Sequence, residues 1–252
     1  MKPYIIEEYE NGLLIFRINR PEKRNAVNYE VMDGLETAVH MAGKKSVKAL
    51  AITGEGDQAF CSGGDLSSFH SLKTENEAFG MLSRMAAILK KLLFLRKPTI
   101  AILNGTAVGG GCELAAACDY RIAKAGIKAG FIQGTLAITT GWGGGSIIME
   151  KMLPANAMRM LMEGKLYNEK ELKELGFVHS VFQGDSTDGC LRFLERMLRL
   201  ESEVLEAYKD LLVNKWEKAG LEERIDQEVR SCSVLWEGEA HHAKVDSFLN
   251  KS

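Results

Sequence analysis

The residues best suited to do chemistry lie between Asn104 and Asp119, in the run Asn-Gly-Thr-Ala-Val-Gly-Gly-Gly-Cys-Glu-Leu-Ala-Ala-Ala-Cys-Asp. Gly109, Gly110 and Gly111 precede Glu-Leu-Ala-Ala-Ala, a stretch of strong helix formers. The first N–H groups of a helix have no partner inside it. Glycines let a ligand approach those groups closely, and the helix dipole adds partial positive charge there. Such a turn is a seat for a negatively charged oxygen. Glu113 follows Gly110 by about one turn and shares its face. An oxyanion seat beside an acid/base group points to chemistry on a carbonyl. Taken alone, the turn also suits phosphate binding or close helix packing, and a buried Glu also suits a structural ion pair. The Gly-x-Gly-x-x-Gly dinucleotide pattern and the Lys-Ser/Thr ending of a phosphate loop are both absent here.

These residues must be positioned by the elements around them. Pro98-Thr-Ile-Ala-Ile-Leu is a β-branched run that reads as a buried strand leading into the glycine turn. Val47-Lys-Ala-Leu-Ala-Ile-Thr-Gly reads as a second strand. It runs into the loop Glu55-Gly-Asp-Gln-Ala-Phe-Cys-Ser-Gly-Gly-Asp-Leu, where Gly63 and Gly64 again free the backbone. Two such loops at strand ends can supply two N–H donors to one oxygen, and an oxyanion hole is expected.

The pair Ala59-Phe-Cys-Ser-Gly-Gly-Asp-Leu and Asn104-Gly-Thr-Ala-Val-Gly-Gly-Gly-Cys-Glu resembles the crotonase superfamily, also called enoyl-CoA hydratase/isomerase. Asn19-Arg-Pro-Glu-Lys-Arg-Asn-Ala-Val-Asn28 is similar to that family's opening motif. Thr140-Gly-Trp-Gly-Gly144 is similar to a later one, with Thr140 where the family usually has Pro. The likeness runs from about Tyr4 to Val181 and more loosely beyond. It implies that the Gly64 and Gly110 N–H groups hold an acyl-CoA thioester oxygen as an enolate forms. It also implies that Lys23 and Arg24 lie near the CoA phosphates, and that Ala26, Ser62, Asp65 and Leu66 line the CoA channel. The acyl-CoA is then the substrate, and no separate cofactor is expected.

Glu113 matches one of two glutamates used by the family's hydratases. The other falls in the segment Lys128-Ala-Gly-Phe-Ile-Gln-Gly-Thr-Leu, at Gln133, counted forward from Glu113 or back from Gly141. An amide neither donates nor takes up a proton usefully near neutral pH, and a missing general acid costs about 10²–10⁴ in rate. Adding water to a double bond needs water activated and a carbon protonated. Decarboxylation of a malonyl-type CoA, or double-bond migration, needs only an enolate and one proton. Gln133 can orient a substrate carboxylate or a water through its amide N–H groups. Phe60-Cys-Ser-Gly-Gly-Asp-Leu-Ser-Ser-Phe-His-Ser-Leu72 and Leu235-Trp-Glu-Gly-Glu-Ala-His241 are similar to the branch containing ethylmalonyl-CoA decarboxylase. The expectation is therefore a decarboxylase or isomerase-like lyase. A hydratase with an altered site is the alternative, and a non-catalytic binding scaffold is the alternative of another class.

Composition narrows the class further. With 252 residues, 46% hydrophobic, the chain can fill a sizeable core. Its 32 basic and 34 acidic residues leave a net charge of −2, so no broad basic field attracts nucleic acid. The first ten residues carry no apolar leader core, and no apolar run approaches a membrane span. Cys61, Cys112, Cys118, Cys190 and Cys232 form no Cys-x-x-Cys pair, which suits a reducing cytoplasm. Cys61 and Cys112 lack a base nearby in sequence, and packing roles are expected. No metal site is expected. His241 and His242 point about 100° apart on a helix without a companion carboxylate or Cys cluster, and are assigned to a solvated face. His70 is assigned to the surface.

Strands are predicted near 4–9, 12–19, 47–53, 98–103, 118–124 and 177–182. Helices are predicted near 29–42, 76–95, 109–117, 143–152, 155–162 and 168–175. Alternating β and α units argue an α/β fold with parallel pairing, and the resemblance implies a crotonase-like spiral of ββα turns. Beyond Gly184-Asp-Ser the pattern is helix only, at 187–201, 203–217 and 221–249. Two regions are thus expected: a spiral core with the acyl-CoA site over 1–185, and a helical oligomerisation region over 186–252. By the resemblance this region assembles homotrimers or homohexamers. Charges such as Glu222-Glu-Arg-Ile-Asp are assigned to solvated faces.

Overall fold

Short β-branched runs bury themselves only when stacked, and a computed structural model describing residues 2–249 shows how this chain stacks them. In chain order the elements are β1 (Tyr4–Glu8), β2 (Leu13–Ile18), α1 (Tyr29–Ala42), β3 (Ala49–Gly54), β4 (Ala59–Cys61), α2 (Leu66–Phe69) and α3 (Glu75–Leu93). There follow β5 (Thr99–Leu103), β6 (Thr106–Val108), α4 (Gly110–Ala117), β7 (Tyr120–Lys124), β8 (Lys128–Gly130), α5 (Gly144–Lys151) and α6 (Pro154–Glu163). The last are β9 (Tyr167–Asn168), α7 (Glu169–Glu174), β10 (Ser180–Phe182), α8 (Ser186–Leu198), α9 (Ser202–Lys218), α10 (Leu221–Glu237) and α11 (Glu239–Leu249). Short 3-10 turns cover Pro21–Lys23 and Gln133–Leu136.

Among the described residues the strands form two sheets, ordered β1-β2-β3-β5-β7-β10 and β4-β6-β8-β9. Pairing is parallel except at the outer pairs β1–β2 and β8–β9. β3, β5 and β7 belong to the first sheet, and the strand after each, β4, β6 and β8, belongs to the second. A helix then returns the chain to the first sheet. Each ββα unit thus adds one strand to each sheet, and the chain is an α/β spiral of such turns.

The larger sheet is buried on both faces. Leu13 and Ile15 face one apolar cluster with Ile100, Ile102 and, from α8, Cys190 and Leu194. Leu14, Phe16 and Ile18 face the main core on the other side. Strands covered on both faces read as continuous apolar runs, which is why β2, β3 and β5 were legible in sequence. β4, β6, β8 and β9 span only two or three residues each, too short for any periodicity to register. The glycine turn at 109–111 accordingly follows β6 rather than β5.

Helix ends obey local chemistry. Asn28 accepts from the Val31 N–H to cap α1, Thr74 and Glu77 form a reciprocal capping box on α3, and Asp185 caps α8. The helix expected over 221–249 is two helices, because the backbone is extended at Gly238. α10 lies along α3 and α5, so the C-terminal helices cover the spiral's own helices.

Two buried asparagines fix the loops that leave the strands. Asn104 Oδ1 accepts from Thr53 Oγ1 and the Gly54 N–H, and its Nδ2 donates to the Gly56 and Ala59 carbonyls. Asn25 Nδ2 donates to the Glu55 and Ala59 carbonyls, and its Oδ1 accepts from the Arg20 N–H. Between them, two side chains satisfy the backbone of the turn between β3 and β4.

Candidate functional site

The two glycine turns meet. A methyl group on Gly63 would lie 3.3 Å from the Gly110 nitrogen. Gly63 has φ +96° and Gly109 φ +55°, backbone that other residues rarely adopt. Val27 forms a parallel bridge with Gly64: its N–H donates to the Gly63 carbonyl, and the Asp65 N–H donates to its own carbonyl. In that geometry the Gly64 N–H points away from the bridge. Gly110 opens α4, so its N–H has no partner within the helix. Two unclaimed N–H groups from separate loops therefore stand side by side. The Trp142 indole lies against both: a methyl on Gly110 would come within 2.4 Å of the ring, and one on Gly64 within 3.7 Å.

Glu113 is 2% exposed in the first turn of α4. Its Oε1 accepts from the Gly141 N–H at 3.2 Å and from Gln133 Nε2 at 2.9 Å. Its Oε2 accepts from the Trp142 and Gly144 N–H groups at 2.8 and 2.9 Å. Burial and, next, the negative Glu228 push its proton affinity up from the ordinary value of 4.5 to about 7, against the pull of the backbone donors. Gln133 opens its 3-10 turn and is 8% exposed; its Oε1 is buried without a partner. The amide is set by the hydrogen bond it gives Glu113. Gln133 lies 3.6 Å from where a methyl on Gly109 would be, beside the glycine turn.

The residues expected along a CoA channel are brought together. The Ser62 N–H donates to the Arg24 carbonyl, and the bridge at Val27 joins the same two segments. Lys23 and Arg24 are exposed, Ser62 and Leu66 half-buried, and Ala26 buried. Asp65 is buried, paired with Arg20 at 2.6 Å, and accepts from the Ser67 N–H and hydroxyl. Its carboxylate is thus committed to holding α2 and the segment around Ala26, whose carbonyl also accepts from Arg20.

Cys61 and Cys112 are fully buried, and burial pushes the Cys61 thiol up to about 12 and Cys112 in the same direction. Both are packing residues. His70 is exposed, as expected. His241 is not on a solvated face: it is 3% exposed, its Nδ1 lies in hydrogen-bond contact with the Leu136 carbonyl at 2.8 Å, and its ring lies tilted against Trp236. The helix break at Gly238 turns α11 onto the 133–136 turn, which no pattern of adjacent residues reveals. Trp142 and Glu228 were also missed. Trp142 lies inside the Thr140–Gly144 motif, whereas Glu228 reaches the site only because α10 folds back along α5.

The sequence matches the enoyl-CoA hydratase/isomerase family over residues 8–252. A crotonyl-CoA hydratase from Syntrophomonas wolfei is 36% identical over 181 residues, 71% of this chain and 69% of that protein. An ethylmalonyl-CoA decarboxylase from Xenopus tropicalis is 27% identical over 241 residues, 94% of this chain and 80% of that protein. The solved structure of a carnitinyl-CoA hydratase from Mycobacterium avium superposes with a TM-score of 0.84 at 26% identity, covering 100% of this chain and 97% of that one. The chain belongs to the enoyl-CoA hydratase/isomerase family and is an acyl-CoA-processing enzyme of the crotonase superfamily. Among the described residues no helix is long and apolar enough to cross a membrane.

The raised proton affinity of Glu113 has a stability consequence of definite sign. Between pH 4.5 and about 7 the folded state holds a proton that the unfolded state has lost, so stability falls as pH rises through this window. The contribution is about 3 kcal/mol, present below 4.5 and gone above 7. In urea unfolding from pH 4.5 to 8 the stability of wild type relative to Glu113→Gln should fall by this amount, the opposite contribution of His179, which burial holds down to about 4, being common to both proteins. Parallel pH dependences in the two proteins would refute it.

Proposed function

We propose that this enzyme binds an acyl-CoA thioester with its carbonyl oxygen between the Gly64 and Gly110 N–H groups, and that an enolate forms there with Glu113 as the single proton-transfer residue. The glycine turns support the first part, since they present two free donors at one place. By the family resemblance, Lys23 and Arg24 meet the CoA phosphates, and Ala26, Ser62, Asp65 and Leu66 border the pantetheine path. Gly110→Pro removes one donor and distorts the start of α4. Turnover should fall by about 10²-fold or more in a folded variant, and a folded Gly110→Pro enzyme with full activity would remove the oxyanion assignment.

For the reaction itself, the reading is decarboxylation of a malonyl-type CoA, with double-bond isomerisation in the same class. One observation carries it: Gln133, not a second carboxylate, is hydrogen-bonded to Glu113. In decarboxylation the bond from Cα to the carboxylate breaks and its electron pair enters the thioester to give the enolate. CO₂ leaves, and Glu113 delivers its proton to Cα. A carboxyl group with a value near 7 is protonated in part at neutral pH and can do this. One N–H of Gln133 is committed to Glu113, and the other is available to the substrate carboxylate. The relative named as an ethylmalonyl-CoA decarboxylase, which matches most of this chain, is consistent with this reading. Hydration is the second reading, favoured by the relatives named as hydratases.

The two readings differ in sign with pH. Decarboxylation needs protonated Glu113, so its kcat should fall as pH rises through about 7. Hydration, with Glu113 as base, should rise over the same range. Gln133→Glu should raise crotonyl-CoA hydration about tenfold. It should impair decarboxylation, because a second negative charge would face the substrate carboxylate, a repulsion on the order of 4 kcal/mol at 4 Å and an effective dielectric near 20. Mass spectrometry of malonyl-type and crotonyl thioesters, with wild type and variant in parallel, decides this. Efficient wild-type hydration without CO₂ release would sink the lyase reading.

We further propose that the chain assembles as a homotrimer or homohexamer through its helical regions, as the resemblance implies. Exposed apolar side chains stand at both ends of α6, at Leu153 just before it and Met162 in its last turn (76% exposed), and on α9 at Tyr208 and, one turn on, Leu211 (68% exposed). Apolar surface of this kind marks association faces. Sedimentation should give three or six times the chain mass; a monomer at micromolar concentration contradicts the proposal.

A further inference from the structure

The start of α5 is shared by two carboxylates, and the second belongs to none of the motifs. Gly144 gives its N–H to Glu113. The next two residues give theirs to Glu228 of α10, Gly145 to Oε1 at 3.0 Å and Ser146 to Oε2 at 2.6 Å. Ile147 is already bonded within the helix, to the Gly143 carbonyl. The free donors of this first turn are therefore divided between Glu113 and Glu228. Thr140, standing where the family usually has Pro, adds its hydroxyl to Glu228 Oε1 at 2.5 Å.

Glycine is required at both seats. A methyl on Gly144 would come within 2.4 Å of Glu113 Cγ, and one on Gly145 within 2.8 Å of Thr140 Oγ1 and 3.3 Å of both Glu228 oxygens. The run Gly143-Gly144-Gly145 thus admits two acids to one helix end. Among the described residues no cation lies within ion-pair distance of Glu228; Arg224, one turn earlier on α10, pairs with Glu150 instead. The other titratable groups facing Glu113 are the thiols of Cys112, on its own helix, and Cys232, on α10. Burial holds both protonated and uncharged, Cys232 at about 12. Lys151 of α5 sits at the opposite end of α4, on the Ala116, Ala117 and Cys118 carbonyls. Glu228 is therefore the charge that Glu113 experiences.

We propose that Glu228 is a positioning residue for the reaction: it anchors the 140–146 loop through Thr140 and the α5 amides, and its negative charge at the shared helix end keeps Glu113 able to hold a proton. The proposal rests on Glu113 being the proton-transfer group. Its deciding measurement is a titration made without turnover, so its failure is distinct from failure of that reading.

The experiment is an NMR pH titration of the full chain, following the Trp142 and Gly144 amides, which report Glu113, in wild type and Glu228→Gln. The substitution removes the charge and keeps the side chain's length. The Glu113 midpoint should drop by about one pH unit or more. The pH limb of kcat should shift with it, while KM changes less than twofold. Glu228→Asp, which restores the charge, should return the midpoint most of the way. An unmoved midpoint in folded Glu228→Gln would overturn the proposal. Should that variant not fold, the wild-type titration still decides: a Glu113 midpoint near the ordinary 4.5 overturns the proposal as well.

Discussion

A carboxylate buried in the core must be surrounded by donors, and the way this protein satisfies Glu113 dictates much of the site. Desolvation alone would make the charged form untenable. Four donors answer it: three backbone amides around the start of α5 and the amide of Gln133. For those amides to reach, α5 must begin directly against the start of α4, and residue 144 must lack a side chain. The same constraint carries the Trp142 indole across to the two glycine turns. A helix start that usually seats a ligand anion is here spent on the protein's own acids.

The spiral makes that meeting possible. Because each ββα unit contributes to both sheets, the loop after β4 and the loop after β6 emerge side by side from parallel neighbours. Their glycine N–H groups then converge without any long-range adjustment. Asn25 and Asn104 hold the backbone of the preceding turn, so the donors stand on rigid supports rather than on mobile loops. In the proposed oxyanion role, pre-set donors of this kind need no reorganisation as charge develops.

Gln133 changes what the site can do more than how it is built. As a donor to Glu113 it replaces an acid–acid contact by a neutral hydrogen bond, which avoids the coupled titration of two adjacent carboxyl groups. In the proposed arrangement the charge that tunes Glu113 comes instead from Glu228, which binds the next two N–H groups of the same α5 start.

Local pattern was enough to read the α/β class, the strands of the larger sheet and the two glycine turns with Glu113, whereas Gln133 was reached only through the family resemblance. Each rests on neighbours in sequence: β-branched runs, glycines before helix formers, and motif spacing. The second sheet was invisible, because two- and three-residue strands have no period and exist only through their partners. His241 was misplaced for a related reason: its burial follows from a helix break at Gly238 that turns α11 onto the 133–136 turn. Trp142 and Glu228 acquire meaning only when α4, α5 and α10 converge. Sequence spacing determines which groups share a helix face or a turn. Whether separate segments meet, and so how Glu113 is charged and held, is decided by the packing of the whole chain.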